Sequence, residues 1–416
     1  MIRDILLLQK RELENKLKEP YAERDYDSNK LNSPLIKVII GPRRAGKSFF
    51  ALHFLNKQGN FGYVNFDDEK LSETQNYDEI VSALNSIYYN PKYILFDEIQ
   101  NLPKWELFAN RLARQGYNLI ITGSNAKLLS AELATHLTGR HSLIHIFPFS
   151  FKEFLHFEKK ELTTSETKEM LLKYITYGGY PEPLMKHLDF KEYLSTLFDS
   201  VLYKDIIKRH KIRFAEGIEN LALYLISNIA NEQSYNSLSK ITKCKSPYTV
   251  EKYLGYLEEA FLVFAIPRFS FKVKEQISSN KKIYCTDNGI IHAKAFKFSP
   301  NIGKLYENIV ACKLKKAELN HEIRAYYWKN AQQEEVDFVV KKELAVTQLI
   351  QVCYDISNPE TKKREIRALL KAGEELKCHK LLILTEDYDA EEDSEWFNMK
   401  GKIKFIPLWK WLLQDS

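Results

Sequence analysis

The sequence predicts an α/β chain in three successive modules: a parallel sheet covered by helices, a helical middle, and a second α/β module. Three observations carry this. Between about residues 31 and 149, short apolar runs alternate with helical stretches, the texture of parallel strands buried on both faces. From about 150 to 265 the apolar period becomes helical, and from about 281 strand-like runs return. The chain has 416 residues, roughly enough for two to four domains. The changes of period divide it into residues 1–30, 31–158, 159–275 and 276–416.

Each element has its own justification. Apolar residues recur at helical spacing from Ile5 to Leu17, so a helix leads the chain. The runs LIKVII (35–40), FGYVNF (61–66), KYILF (92–96), NLIIT (118–122) and LIHIF (143–147) read as five strands. FKEFLHFEKK, ETKEMLLKYITYGG and EYLSTLFDSVLYKDIIKRH read as helices. KKIYCT, EIRAYYW, VDFVV, QLIQVCY and KLLILT restore the strand texture, and the acidic run YDAEEDSEW (388–396) reads as a solvated loop.

Composition narrows the class. Hydrophobic residues make up 44% and charged residues 28%, which excludes wholesale disorder. Cys244, Cys285, Cys312, Cys353 and Cys378 form no CxxC pair, so neither a disulfide framework nor a structural zinc site is expected. The first apolar run is too short for a signal peptide, and no stretch reaches a membrane span. A cytoplasmic protein with no membrane partner is the expectation. The net charge is +6, and residues 201–300 alone hold sixteen basic and nine acidic side chains. The excess is local, which points to one anion-binding segment.

GPRRAGKS follows the first strand and precedes a helical run, the strand–loop–helix setting of a P-loop. Gly41, Pro42, Arg43, Arg44, Ala45, Gly46, Lys47 and Ser48 would wrap the phosphates of ATP with backbone N–H groups at a helix N-terminus. Lys47 would reach the β- and γ-phosphates, and Ser48 would ligate Mg²⁺. In YILFDEIQ, Asp97 ends a buried strand and fits a Mg²⁺-directed carboxylate, while Glu98 fits the base that polarises the attacking water. At the tip of the next strand, Ser124 or Asn125 could sense the γ-phosphate, although such tips are also ordinary turns. Arg140, before the fifth strand, is either an arginine that stabilises transition-state charge or a solvated surface residue.

GPRRAGKS, NFDD, LFDEIQ, ITGSNAKLL and LTGR with FPFSFKEFL resemble the prokaryotic AAA-type (AAA+/STAND-like) ATPases, in particular the subgroup with a C-terminal nuclease-like domain. The resemblance covers essentially the whole chain. It implies that Arg140 is the finger candidate; such arginines commonly act between subunits, which leaves a homo-oligomer open.

Residues 235–275 carry the local charge. NSLSKITKC suits a short helix, KSP a turn, and Pro247 to Ala260 a longer helix with Val250, Tyr253, Leu254 and Leu257 on one face. With a strand and the basic RFSFKVKEQ behind it, this is a winged-helix order, and the family resemblance points the same way. If the segment binds DNA, Lys243, Lys245, Tyr248 and Thr249 lie near the reading end and Lys272 and Lys274 on the wing. The competing reading is a packing or lid element, and Glu251, Glu258 and Glu259 on the longer helix favour it.

In the last module Glu307 lies on a helix in GKLYENIVACKLKK, Asp337 on the strand EEVDFVV, and Gln351 on the strand LIQVCYDI. Together they compose a PD-(D/E)XK nuclease-like constellation, hence a restriction-endonuclease-like fold whose carboxylates would hold a metal. The third element departs from the pattern. Gln351 stands at an acidic position and Cys353 at the lysine position, with Lys362 or Lys363 as candidate substitutes. A binding or structural relic is therefore expected over an active nuclease, and Cys353 reads as a small core hydrophobe. Three functions stay open: an ATPase that moves the later modules on DNA, an ATP-gated Mg²⁺-dependent nuclease, and a signalling or scaffold ATPase with a protein partner.

Overall fold

The computed structural model describes residues 2–26, 28–74, 76–124, 140–157, 161–296 and 301–414. They fall into two compact units, Met1–Phe149 with Glu259–Phe261, and Ser150–Glu258 with Leu262–Ser416.

In the first unit, helix α1 (Ile2–Lys16) precedes strand β1 (Ile36–Ile40), α2 (Lys47–Gln58), β2 (Phe61–Asn65), α3 (Tyr77–Tyr88), β3 (Tyr93–Asp97), α4 (Trp105–Arg114), β4 (Asn118–Gly123) and β5 (His141–His145). The strand order is β2-β3-β4-β1-β5, and every pairing is parallel. β1 is buried at all five positions, which is why its sequence is nearly unbroken in apolar residues. Helix α1 turns Ile2, Leu6 and Leu13 into the core and closes the edge strand through Gln9. The Gln9 amide donates to the Asn65 carbonyl at 3.0 Å and its oxygen accepts from the Asn65 N–H at 3.0 Å, so one edge residue is satisfied by a side chain. β5 starts two residues before the apolar run LIHIF, because its backbone register runs from Ile36 opposite His141 to Ile40 opposite His145.

The second unit opens with a short helix, Phe151–Phe157, followed by α5 (Thr164–Tyr177) and α6 (Phe190–Ser200). Thr163 caps α5 reciprocally with Glu166, which fixes where that helix starts. Helix α7 (Ala215–Ser227) leads into β6 (Asn231–Gln233), α8 (Tyr235–Ile241), α9 (Pro247–Glu259), β7 (Val263–Pro267) and β8 (Lys281–Cys285). The three strands form an antiparallel sheet in the order β6-β8-β7. Strand β8 lies beyond residue 275 yet pairs with both partners. Val250, Leu254 and Leu257 form the buried stripe of α9. The segment joining β7 to β8, where Lys272 and Lys274 are expected on the wing, carries a short helix, Val273–Ser278.

A mixed six-stranded sheet follows. Helix α10 (Ile302–Leu319) precedes β9 (Arg324–Lys329), β10 (Glu335–Lys342), β11 (Ala345–Val352), α11 (Pro359–Leu376), β12 (Leu381–Thr385), β13 (Ala390–Trp396) and β14 (Met399–Pro407). The order is β13-β14-β12-β11-β10-β9, with β12 parallel to both neighbours and the remaining pairs antiparallel. The acidic run expected to be a loop is the edge strand β13. It pairs with the lysine-rich β14 so that Glu391 faces Lys404, Asp393 faces Lys402 and Glu395 faces Lys400. Cross-strand charge complementarity builds a strand from residues with poor strand propensity.

Candidate functional site

The loop between β1 and α2 is shaped for backbone N–H groups. Gly41 has φ +153°, and a Cβ there would fall 1.9 Å from the Ile146 carbonyl oxygen, so glycine is obligatory. Gly46, at φ 93°, caps α2 in the left-handed region, and Arg44 shares that region at φ 64°. Lys47 is buried, its Nζ donating to the Pro42 carbonyl at 2.8 Å. A second brace comes from outside the motif: Arg24 is buried and donates to the Ala45 carbonyl at 2.9 Å and to that of Phe147. No sequence signal marks Arg24, which stands in the irregular stretch before β1.

β3 and β4 supply the chemistry opposite the loop. Asp97 is buried at the end of β3 and accepts from Ser48 Oγ at 2.7 Å, from the Tyr63 hydroxyl at 3.2 Å and from the Thr122 hydroxyl. Burial and the charge of Glu98 push its carboxyl above the usual range, against the hydrogen bonds from Ser48 and Thr122. Two oxygen donors fit for Mg²⁺ are thus already adjacent. Glu98 sits in the left-handed region at φ 51°, ψ 44°, its N–H bonded to Thr122 Oγ1 at 3.1 Å. Its carboxylate accepts from the Gln100 amide and, at 3.3 Å, from Ser124 Oγ. Ser124 is therefore in the cluster, buried at the tip of β4, while Asn125 lies outside the described residues. Thr122, which joins Asp97 to Glu98, is legible only once β3 and β4 are known to be neighbours.

Arg140 is not part of this group. It is exposed and precedes β5 at the level of Ile36, whereas the phosphate loop leaves β1 after Ile40. About 16 Å of strand separates those levels at roughly 3.3 Å per residue. Arg140 therefore lies at the end of β5 remote from the phosphate loop of its own chain.

Glu307, Asp337 and Gln351 do converge in the second unit, but around a lysine. Lys282 of β8 is 1% exposed and its Nζ lies 2.9 Å from Glu307, 3.0 Å from Asp337 and 2.6 Å from Glu335. Tyr284, on the same face of β8, donates to Glu307 at 2.8 Å, and Lys304 reaches its other oxygen at 2.9 Å. Burial alone would raise the Glu307 carboxyl, but the two lysines outweigh it and hold it below its ordinary value. Burial and then Glu307 push Asp337 up to about 7. Burial opposes the Lys282 charge too, yet Glu307 and the other nearby anions keep its pKa well above the usual lysine value. Gln351 accepts from the Asp337 N–H at 3.1 Å and donates to Glu365 at 2.7 Å, with Arg364 closing on Glu365 at 2.5 Å. Neither candidate substitute joins in: Lys362 pairs with Glu392 at 2.6 Å and Lys363 with Glu360 at 3.2 Å. Among the described residues no group of three His, Cys, Asp or Glu side chains is arranged to hold a metal ion.

On the middle module, Lys245 and Tyr248 are exposed near the start of α9, and Lys274 is exposed between β7 and β8. Thr249 Oγ1 is held by Ser246 at 3.0 Å. Lys243 carries Glu216 at 2.9 Å and Lys272 carries Glu275 at 2.9 Å, so both cations are partly offset. No helix among the described residues is long and apolar enough to cross a membrane.

Comparison with known proteins agrees with this geometry. Residues 33–155 match the model of an AAA domain, 168–301 that of a domain of unknown function, DUF8612, and 302–411 that of a second, DUF4143. The chain is 36% identical over 397 residues to the uncharacterized protein MJ1544 of Methanocaldococcus jannaschii, covering 91% of this chain and 88% of that one. An uncharacterized protein of Haemophilus influenzae is 31% identical over 400 residues, covering 92% and 95%. Among solved structures, the Walker-type ATPase paby2304 of Pyrococcus abyssi aligns with 68% of this chain and 94% of that one, at 16% identity and a TM-score of 0.43. The chain belongs to the same family as the two relatives, and in it an AAA domain carrying the P-loop is followed by a DUF8612 and a DUF4143 domain.

Proposed function

We propose that the chain hydrolyses ATP at the β1–α2 loop and uses the nucleotide cycle to reposition its middle and C-terminal modules on DNA. The observation that carries the first half is the joining of Ser48, Asp97, Thr122, Glu98 and Ser124 into one hydrogen-bonded group beside the phosphate loop. The backbone from Gly41 to Ser48 binds the phosphates, and Lys47 leaves the Pro42 carbonyl for the β- and γ-phosphate oxygens. Ser48 and Asp97 would hold Mg²⁺, which when bound neutralises charge developing on the phosphates. Glu98 orients the attacking water and takes its proton, and Ser124 fixes the carboxylate's direction. Arg140, at the remote end of β5, would serve the nucleotide of a neighbouring subunit.

DNA as partner rests on the order α7-β6-α8-α9-β7-β8, which is that of a winged helix, with Lys243, Lys245, Tyr248 and Thr249 near the start of α9. We read the cluster of Glu307, Asp337 and Gln351 as an internal ion-pair network and not a cleavage centre, because a buried lysine holds its carboxylates.

Phosphate release from ATP is the test. Glu98→Gln retains ATP binding and loses turnover by roughly 100-fold or more, whereas Lys47→Ala loses binding. Turnover in Glu98→Gln at the wild-type rate would overturn the assignment.

A further inference from the structure

The segment before α7 and the turn between α8 and α9 enclose a cleft of about 470 Å³. Its lining holds five cations, Lys211, Arg213, Lys243, Lys245 and Lys252, against a single acid, Glu216. Four aromatic rings, His210, Phe214, Tyr253 and Tyr256, also line it. Phe214 is 69% exposed and has Lys245 Nζ 4.9 Å from its ring centroid. His210 stacks on Tyr256 at 3.6 Å and 13°, and Lys252 lies 5.8 Å from the Tyr256 ring. An exposed phenylalanine beside lysines is costly as a solvent-facing residue, and ring burial by a flat ligand relieves that cost.

A duplex offers no free base face to a concave site; a winged helix meets it with a convex helix surface. A cleft that alternates cations with aromatic platforms has the chemistry of single strands, whose backbone follows the charges while unstacked bases lie on the rings. We propose that this cleft binds a single-stranded segment of nucleic acid, with a base on Phe214 and the flanking phosphates on Lys245, Lys252 and Arg213. The proposal rests on the nucleic-acid reading given above and narrows it from a duplex to an unpaired strand.

Fluorescence anisotropy of the full chain with a labelled oligothymidylate and with a blunt duplex of equal length tests it. The oligothymidylate binds more tightly than the duplex, and Phe214→Ala weakens it roughly 5- to 150-fold, the range of one lost base stack. Phe214→Trp retains the affinity, which a merely structural Phe214 would not require. Lys252→Glu makes the logarithm of affinity fall less steeply with that of salt, by about 0.7 or more. Phe214 and Lys252 are both exposed, and an unchanged thermal melt of each variant separates lost contact from lost fold. Equal affinity for duplex and single strand, or no effect of Phe214→Ala, overturns the single-strand assignment and leaves the DNA reading standing. Displacement of the oligomer by free thymidine monophosphate at similar concentration assigns the cleft to a mononucleotide and also overturns it. Absence of binding to either nucleic acid at low salt removes both readings.

Discussion

Asp97 and Glu307 are both buried carboxylates at the meeting of a strand and a helix, and they differ in what supplies their positive charge. Around Asp97 the partners are hydroxyls, from Ser48, Tyr63 and Thr122, while the nearby Lys47 ammonium points to the Pro42 carbonyl. Around Glu307 two ammonium groups, Lys282 and Lys304, are in direct contact. At the first site hydroxyl hydrogen bonds oppose burial and the Glu98 charge without overcoming them, and the carboxyl is pushed up; at the second two ammonium groups of the chain itself are in ionic contact, and the carboxyl is pushed down. A site prepared for an incoming cation and a site with a built-in one are distinguishable by that contrast, although their residue types overlap.

Breaking the built-in cation gives the largest expected effect on stability. Lys282→Met leaves Glu307, Asp337 and Glu335 without their shared partner and costs about 3–5 kcal/mol, read by chemical denaturation of the second unit. Nucleotide affinity stays unchanged in the same variant. Neutralising the whole group, with Glu307→Gln and Asp337→Asn added to Lys282→Met, recovers most of that loss. A triple variant no more stable than the single one would show that packing of the lysine stem, not its charge, is what matters.

Gln351→Glu has a middle-sized effect. The amide donor to Glu365 disappears and two carboxylates meet, at a cost of about 1–3 kcal/mol. Restoring the acid therefore weakens the fold and produces no Mg²⁺-dependent cleavage of plasmid DNA; cleavage would contradict the ion-pair reading.

Asp97→Asn has the smallest effect and the opposite sign. The Asp97 carboxyl titrates higher in the folded chain than in the unfolded one, so its ionised form costs stability as pH rises above the ordinary carboxyl range. Asp97→Asn removes that pH-dependent cost, so the nucleotide-free melting temperature gains over the wild type as pH rises above the ordinary carboxyl range, and the gain fades toward pH 4. Scanning calorimetry at pH 7 and pH 4 checks both the sign and the trend.

The same contrast explains which site could be seen in the sequence. A phosphate loop is contiguous because adjacent backbone N–H groups must face one ligand, so Gly41–Ser48 is legible as a string. Asp97 and Glu98 are legible because a buried strand announces its own end. Lys282 was not, since its partners Glu307 and Asp337 lie 25 and 55 positions away, and only the fold brings them together. Arg24, 21 positions before Ala45, was hidden for the same reason. The acidic strand β13 failed a propensity reading because its stability comes from the lysines of β14, and the pairing register cannot be inferred from β13 alone. The distance of Arg140 from the phosphate loop likewise needed the register of β5 against β1.

Counting bound Mn²⁺ on the wild-type chain, by the loss of its free electron-spin-resonance signal, tests the contrast most directly. With a non-hydrolysable ATP analogue a single ion is expected per chain, absent without nucleotide and lost on Asp97→Asn. An ion bound without nucleotide that survives Asp97→Asn and vanishes on Asp337→Asn would contradict it.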